Sequence, residues 1–201
     1  MFPSFTVFNL EAFLTSWRKF YQEECGLELG AGILLPPVEQ ALGAGVIMAG
    51  NITIEQDLAA IKTRTPDQRL YRYTDQAIDG LIQKDREVPR PKQAYGGWVC
   101  PAQEATDQAP QLAKKSYLDI DGGKVIPVMI FAEYVRLFRW HLWATNGEPL
   151  DRNSWTLTGS LAAGGHVLDG NWYGDRFDVH YCGQRDSNDY IRFRQVVLPL
   201  A

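Results

Sequence analysis

The chain of 201 residues is 45% hydrophobic and 12% aromatic, and it carries a net charge of −4 at pH 7. This composition excludes a disordered chain, and the length suits one domain with a sizeable core. The acidic balance excludes general nucleic-acid binding, which needs a basic face. No segment is apolar over a membrane-spanning length, and the first residues lack the features of a signal peptide. We therefore expect no membrane insertion and a cytoplasmic protein.

The three cysteines predict reduced thiols rather than a structural framework. Cys25, Cys100 and Cys182 are far apart and in no C-x-x-C spacing. Their odd number and their spacing argue against a disulfide scaffold and against a zinc ribbon. Reduced thiols are the usual state in the cytoplasm.

The first quarter of the chain predicts a short strand followed by an amphipathic helix. The strand is "FTVF", residues 5–8. Asn9 has the side chain of an N-cap, and apolar residues recur at helical spacing from Leu10 to Cys25. Gly26 is the expected end of this helix.

Two more helices and a loop are predicted between residues 53 and 97. Thr53 and Gln56 have the spacing of a capping box, which begins one helix. Thr74 begins another helix, over 75–84. The segment "VPRPKQAYGG", residues 88–97, predicts a loop because it holds two prolines and two glycines.

A hairpin and a long helix are predicted next. "YLDIDGGKVI", residues 117–126, alternates around an Asp-Gly-Gly turn. A central helix is expected from Pro127 to about Thr145, since its apolar residues nearly encircle it. Within it, Glu133 and Arg136 are one turn apart and are expected to pair.

The C-terminal portion predicts strands. "SWTLTGS", residues 154–160, is the first, and "WYGDRFDVHYC", residues 172–182, has the alternation of a hairpin arm. The chain then closes with "YIRFRQVVLPL" as a final strand. Trp172 and Tyr190 are candidates for buried anchors.

The order of these motifs resembles a known family. A long helix is followed by "LDRNSWTLTGS", a Gly-Gly pair, a Trp, an aromatic hairpin, an R-D-x-N-D turn and a closing "RFRQVV". This order resembles the C-terminal half of C-type-lectin-like domains of the formylglycine-generating-enzyme type. It is especially similar to the variable ligand-binding proteins that retroelements diversify in phages and bacteria. The chain departs from that pattern after Gly164-Gly165, where "HVLDGNW" replaces the usual "GGSWNN".

The resemblance covers residues 125–197 and implies a fold class. We expect an α+β protein, a C-type-lectin-like domain with a helical N-terminal portion, forming a single domain over 1–201. Residues 1–116 would be a mainly helical supporting portion, and residues 117–201 would carry the ligand-binding portion. If the gene is phage-derived, the protein would be associated with the virion.

The composition of the tail agrees with this resemblance. Residues 164–194 contain five aspartates but no Glu, Lys or Met. Retroelement mutagenesis of adenines in AAY codons yields Asn, Asp, Tyr, Ser, His or Arg codons, with Trp172, Gln184 and Gln195 as fixed framework. The ordinary explanation also holds, because Asp is favoured in turns, where its short side chain caps the backbone.

The tail is therefore predicted to be the ligand-binding surface of a protein whose partner is a protein or another macromolecule. Tyr, Trp and Arg provide large contact areas and dominate binding hot spots. The residues expected to be exposed and to bind are His166, Asp169, Asn171, Tyr173, Asp175, Asp178, His180, Arg185, Asp186, Ser187 and Asp189.

Two other functions remain open on the sequence alone. One is an enzyme on the same fold that uses Cys182 or a His–Asp pair, although formylglycine-generating enzymes use two cysteines in this region and this chain has one. The other is a phage or mobile-element structural protein whose tail is an assembly surface. We predict no catalytic residue, cofactor or metal: His166, His180 and Cys182 lack a further ligand at a usual spacing, and the Asp119 loop lacks the later ligands for calcium.

Overall fold

The computed structural model describes residues 8–41, 43–66, 68–72, 76–82, 84–85, 90–104, 117–120, 124–152, 154–182 and 190–199. Over these ranges the fold is α+β, with helices packed on mostly antiparallel sheets. Most of the predicted strand at residues 5–8 lies outside them. No helix in these ranges has both the length and the apolar character needed to cross a bilayer.

The first two helices confirm the capping signals. Helix α1 spans Leu10–Cys25; the Asn9 side chain accepts a hydrogen bond from the Ala12 amide at 3.0 Å, and Gly26 ends the helix at a φ of 64°. Helix α2 spans Ile54–Arg64 and begins with the complete capping box of Thr53 and Gln56. Caps depend on residues within one turn, which is why the sequence is sufficient to place them.

The next two helices are shorter than predicted. Helix α3 covers only Ile78–Leu81, and Lys84–Asp85 forms strand β3 instead of continuing the helix; Thr74 lies outside the described residues. Helix α4 spans Phe131–Ala144 rather than starting at Pro127, because Pro127 ends a strand. Asn146, with a φ of 58°, and the following glycine end α4, as the sequence predicts.

A three-stranded sheet has the order β1-β4-β12, formed by Gly45–Met48, Tyr95–Val99 and Val196–Val197. The predicted loop at 88–97 is wrong in its last part, because Tyr95 and the two glycines after it belong to strand β4. A Cβ on Gly97 would lie 2.4 Å from Val196 Cγ2. Gly97 therefore allows β12 to approach β4 closely, and it does not form a turn.

The larger, seven-stranded sheet holds the C-terminal hairpin. Besides β3, its strands are β2 Leu70–Arg72, β5 Gln103–Glu104, β8 Trp155–Leu161, β9 Val167–Tyr173, β10 Arg176–Cys182 and β11 Ile191–Phe193. They run in the order β2-β10-β9-β8-β11-β5, and β3 pairs with β8. Strands β6 (Tyr117–Ile120) and β7 (Lys124–Pro127) form the predicted hairpin separately. Strands from before residue 116 thus belong to the same sheets as the C-terminal strands.

Helix α4 is the central element, as predicted. Tyr134 and Phe138 pack with α2 against one face of the β9–β10 hairpin. Leu137 packs against α1 and β1. The other face of the large sheet carries a separate apolar cluster, which consists of Val128, Leu157, Val167, Ile191 and Phe193.

The predicted pairing of Glu133 with Arg136 is wrong. Glu133 accepts hydrogen bonds from Arg90 Nε at 3.0 Å and from the Tyr95 hydroxyl at 2.8 Å. Arg136 instead donates to Asp57 at 2.7 Å. Both charges are buried, and a buried charge needs several hydrogen-bond partners, which other segments supply here.

Candidate ligand-binding surface

The β9–β10 hairpin has two different faces. Because side chains alternate along a strand, Leu168, Trp172, Phe177 and Val179 point toward α4 and are buried there. The other set of side chains lies on the face away from α4, which we call the outer face. The predicted ligand-binding residues of both strands belong to the outer face.

Strand pairing brings the polar side chains of the outer face together. Across the hairpin, Asp169 lies opposite His180, and Asn171 lies opposite Asp178. Directly opposed residues in antiparallel strands have Cβ atoms about 4.5–5.5 Å apart. On the far side of β10, the parallel strand β2 places Tyr71 beside Asp178.

Aromatic rings and a guanidinium group contact one another on this face. The rings of Tyr71 and His180 stack with centroids 5.1 Å apart, and the Trp155 ring meets His180 edge-on at 4.8 Å. The Arg176 guanidinium lies 5.0 Å from the centre of the Tyr71 ring. We define Tyr71, Trp155, Arg176, Asp178 and His180 as the Tyr71 surface.

Arg176 and Asp178 form a forked ion pair within this surface. Arg176 Nε donates to Oδ1 of Asp178 at 2.7 Å, and Nη2 donates to Oδ2 at 3.4 Å. The hydrogen bond to the Asp178 carboxylate raises the pKa of Arg176. Asp178 is almost fully covered, whereas the Arg176 side chain is 33% exposed. The arginine therefore covers the carboxylate from the solvent side.

The surroundings of His180 favour the neutral form of its imidazole. Its partial burial disfavours the imidazolium ion and lowers the pKa, which the neighbouring Asp178 carboxylate only partly offsets. The stack of Tyr71 on His180 is thus a contact of two uncharged rings. The charge on the Tyr71 surface belongs to Arg176 and Asp178.

The structure divides the predicted binding residues into three groups. Tyr173 is exposed, and His166, Asp175 and His180 are half-buried. The expectation of exposure is wrong for three residues, which are 2–4% exposed: Asp169, Asn171 and Asp178. They lie in mid-strand on a sheet that is packed on both faces, so polar character does not imply exposure there. Outside the described residues are Arg185, Asp186, Ser187 and Asp189.

The sequence analysis missed two members of the Tyr71 surface and was wrong about the burial of one tyrosine near it. Tyr71 and Trp155 come from strands far from the tail in sequence, and the only available signal was the alternation of "RLYRY" around Tyr71. Trp172 is buried as an anchor, as expected, but Tyr190 is 65% exposed. Its backbone carbonyl accepts a hydrogen bond from the Trp155 amide at 2.9 Å, which places it at the edge of the Tyr71 surface.

His166 makes contacts of its own. Its Nδ1 atom lies 2.8 Å from the carbonyl oxygen of Ala163, and its ring meets Tyr181 at 5.2 Å.

Within the described part of the chain, no three His, Cys, Asp or Glu side chains are placed to hold a metal ion. Burial raises the pKa of the Cys25 and Cys100 thiols, which disfavours the reactive thiolate at both.

The chain matches no protein-family model, and it matches none of the curated proteins or solved structures with which we compared it. The resemblance to C-type-lectin-like domains therefore depends on the residues of this chain alone.

Proposed function

We propose that this protein is a ligand-binding protein that presents the Tyr71 surface, flanked by Tyr173 and Tyr190, to a macromolecular partner. The observation that carries the proposal is the exposure of the two flanking tyrosines, 63% and 65%, beside rings already held in contact with one another. Large exposed aromatic side chains set among charged groups are typical of binding hot spots. The hairpin that carries Tyr173 is supported from behind, because Trp172 and Phe177 pack against Phe138.

We further propose that the scaffold is a C-type-lectin-like domain of the formylglycine-generating-enzyme type, with a tail diversified by a retroelement. The motif order supports this, and so do the positions of two expected framework residues, since Trp172 and Gln195 are both buried. The closing segment joins the two sheets through β11 and β12. Such a protein would act in the cytoplasm or, if phage-derived, on the virion.

The binding function is tested with a panel of purified surface proteins from the host or its phages, measured by biolayer interferometry. A partner that binds the wild-type protein should lose at least about 2 kcal/mol of affinity on Tyr173→Ala or Tyr190→Ala, as a hot spot does. The matched control is Leu27→Ala, because Leu27 is an exposed apolar residue of the N-terminal portion. An affinity that is equally reduced by the control, or unaffected by both tyrosine variants, would refute the proposal.

Diversification is tested by sequencing the last forty or so codons across a host population. The structure sharpens the expected pattern. Codons for exposed positions such as Tyr173 and Tyr190 should vary, whereas those for the buried Trp172, Asn171 and Gln195 should not. Invariance at every codon would reject the retroelement and leave a surface with one fixed ligand.

A further inference from the structure

We propose that the Tyr71 surface binds an arginine side chain of a protein partner, and that Arg176 occupies this position in the unbound protein. The inference rests on the proposed function and deepens it by assigning the chemistry that the partner must present. It follows from three features of the outer face: the ring faces, the Asp178 carboxylate and a buried amide oxygen.

The aromatic rings favour a cation. The face of a Tyr or Trp ring attracts a guanidinium within about 6 Å of its centroid. Arg176 makes this contact with Tyr71 at 5.0 Å. The molecule thus shows that a guanidinium fits against this ring.

The carboxylate favours the same group. A guanidinium can donate two parallel hydrogen bonds to one carboxylate, and such pairs are stronger and more specific than single contacts. Asp178 receives this fork from Arg176. An arginine of the partner that displaced Arg176 would meet the Tyr71 ring and the Asp178 carboxylate in the arrangement that already binds a guanidinium.

Asn171 indicates that Arg176 does not satisfy the site completely. Asn171 is 2% exposed, lies opposite Asp178 and points to the same face. Among the residues that the structure describes, none donates a hydrogen bond to its Oδ1 atom. A buried acceptor without a donor is rare and costs about 1–3 kcal/mol, so it calls for a partner. The five N–H groups of a guanidinium are sufficient for both Asp178 and Asn171.

Arg176 is able to leave. It is the first residue of β10, directly after the turn at Gly174 and Asp175, and its side chain is one-third exposed. Its departure would leave the Asp178 carboxylate without the guanidinium that now pairs with it. A carboxylate attracts a cation and repels the phosphates of a nucleic acid, which is why we assign a protein partner.

The test uses the full chain and a short probe, acetyl-Gly-Arg-Gly-amide, followed by NMR chemical-shift titration. The uncharged probe is the same peptide with citrulline in place of arginine. If Arg176 fills the site about nine-tenths of the time, Arg176→Gln should bind the arginine peptide about tenfold more tightly than the wild type. The shifts should concentrate at Tyr71, Trp155 and His180, and adding Asp178→Asn should abolish the gain.

Arg152→Gln is the matched control, since Arg152 pairs with Glu148 at an exposed site and is no part of the Tyr71 surface. It should bind the peptide as the wild type does. The proposal is overturned if Arg176→Gln gains no affinity over the wild type, or if the citrulline peptide binds equally well.

A second measurement keeps the test valid should Arg176→Gln fold poorly. In the wild-type protein, a saturating concentration of the arginine peptide should shift the Arg176 Nε–H resonance, because the bond to Asp178 is exchanged. An unchanged resonance overturns the inference. If the peptide tests fail while the Tyr173 and Tyr190 variants still lose their partner, the proposed binding function is retained and the arginine site is refuted. If the arginine peptide binds and no protein of the panel does, the proposed function is refuted and the arginine site is retained.

Discussion

Asp57 of α2 and Arg136 of α4 form an ion pair in which both side chains are 2% exposed, with Nε donating to Oδ2 at 2.7 Å. Arg139 donates to the other carboxylate oxygen at 2.9 Å. Arg136 also donates to the hydroxyl of Tyr21, which in turn donates to the Ile47 carbonyl at 2.7 Å. This network of buried hydrogen bonds therefore connects α2 and α4 to α1 and β1.

Replacing Asp57 with alanine should lower the free energy of unfolding by about 3–5 kcal/mol, because the buried Arg136 would lose its carboxylate and Arg139 would keep only the longer ion pair with the Glu24 carboxylate. Urea denaturation measures the change. Glu148→Ala is the control, as it breaks the exposed pair with Arg152 and should cost less than about 1 kcal/mol. Similar losses in the two variants would show that the buried network is not a major source of stability.

Replacing Gly97 with alanine should destabilise the three-stranded sheet by about 1–3 kcal/mol, the usual cost of overpacking. The added methyl would meet Val196 Cγ2 at 2.4 Å and the Val197 carbonyl oxygen at 3.1 Å. Thermal unfolding measures the effect. Gly30→Ala meets no atom within 4 Å and should change stability by no more than about 0.5 kcal/mol. A tolerated Gly97→Ala would mean that β12 does not pack on β4 as described.

Stability should fall as the pH drops below about 6.5, the ordinary pKa of histidine. Burial lowers the pKa of both His141 and His180 in the folded protein. Between the unfolded and folded pKa values the unfolded chain binds more protons, so acid favours unfolding. Above about pH 7.5 both histidines are almost entirely neutral in either state, and they contribute little slope there.

Urea denaturation at about pH 7.5 and about pH 5.5 measures this dependence. The double variant His141→Gln, His180→Gln should show a smaller loss of stability at the lower pH than the wild type. His166→Gln is the matched control and should retain the wild-type loss, because His141 and His180 remain. A double variant with an unchanged pH dependence would assign the effect to other groups.

The parts of the fold that could be predicted are those that depend on neighbouring residues. Asn9 and Gly26 place both ends of α1, and Thr53 places the start of α2. The alternation in 176–182 correctly separates Phe177 and Val179 from Asp178. In each instance the deciding contact lies within a few positions along the chain.

The errors arise where a distant segment decides. Strand β4 has the glycines of a loop, and it is a strand because β1 and β12 pair with it on its two sides. Glu133 has a cation one turn away, but the buried site provides Arg90 and Tyr95 instead.

The same distinction applies to the candidate site. The sequence by itself determined that the tail holds closely spaced aromatic and polar residues, and which of them share a face of a strand, because strand periodicity is a local property. Only the tertiary structure decided that Asp169 and Asn171 are buried and that Tyr71 and Trp155 join His180. Exposure and contact depend on which strands pair and what packs on the sheet, and these are properties of the whole chain.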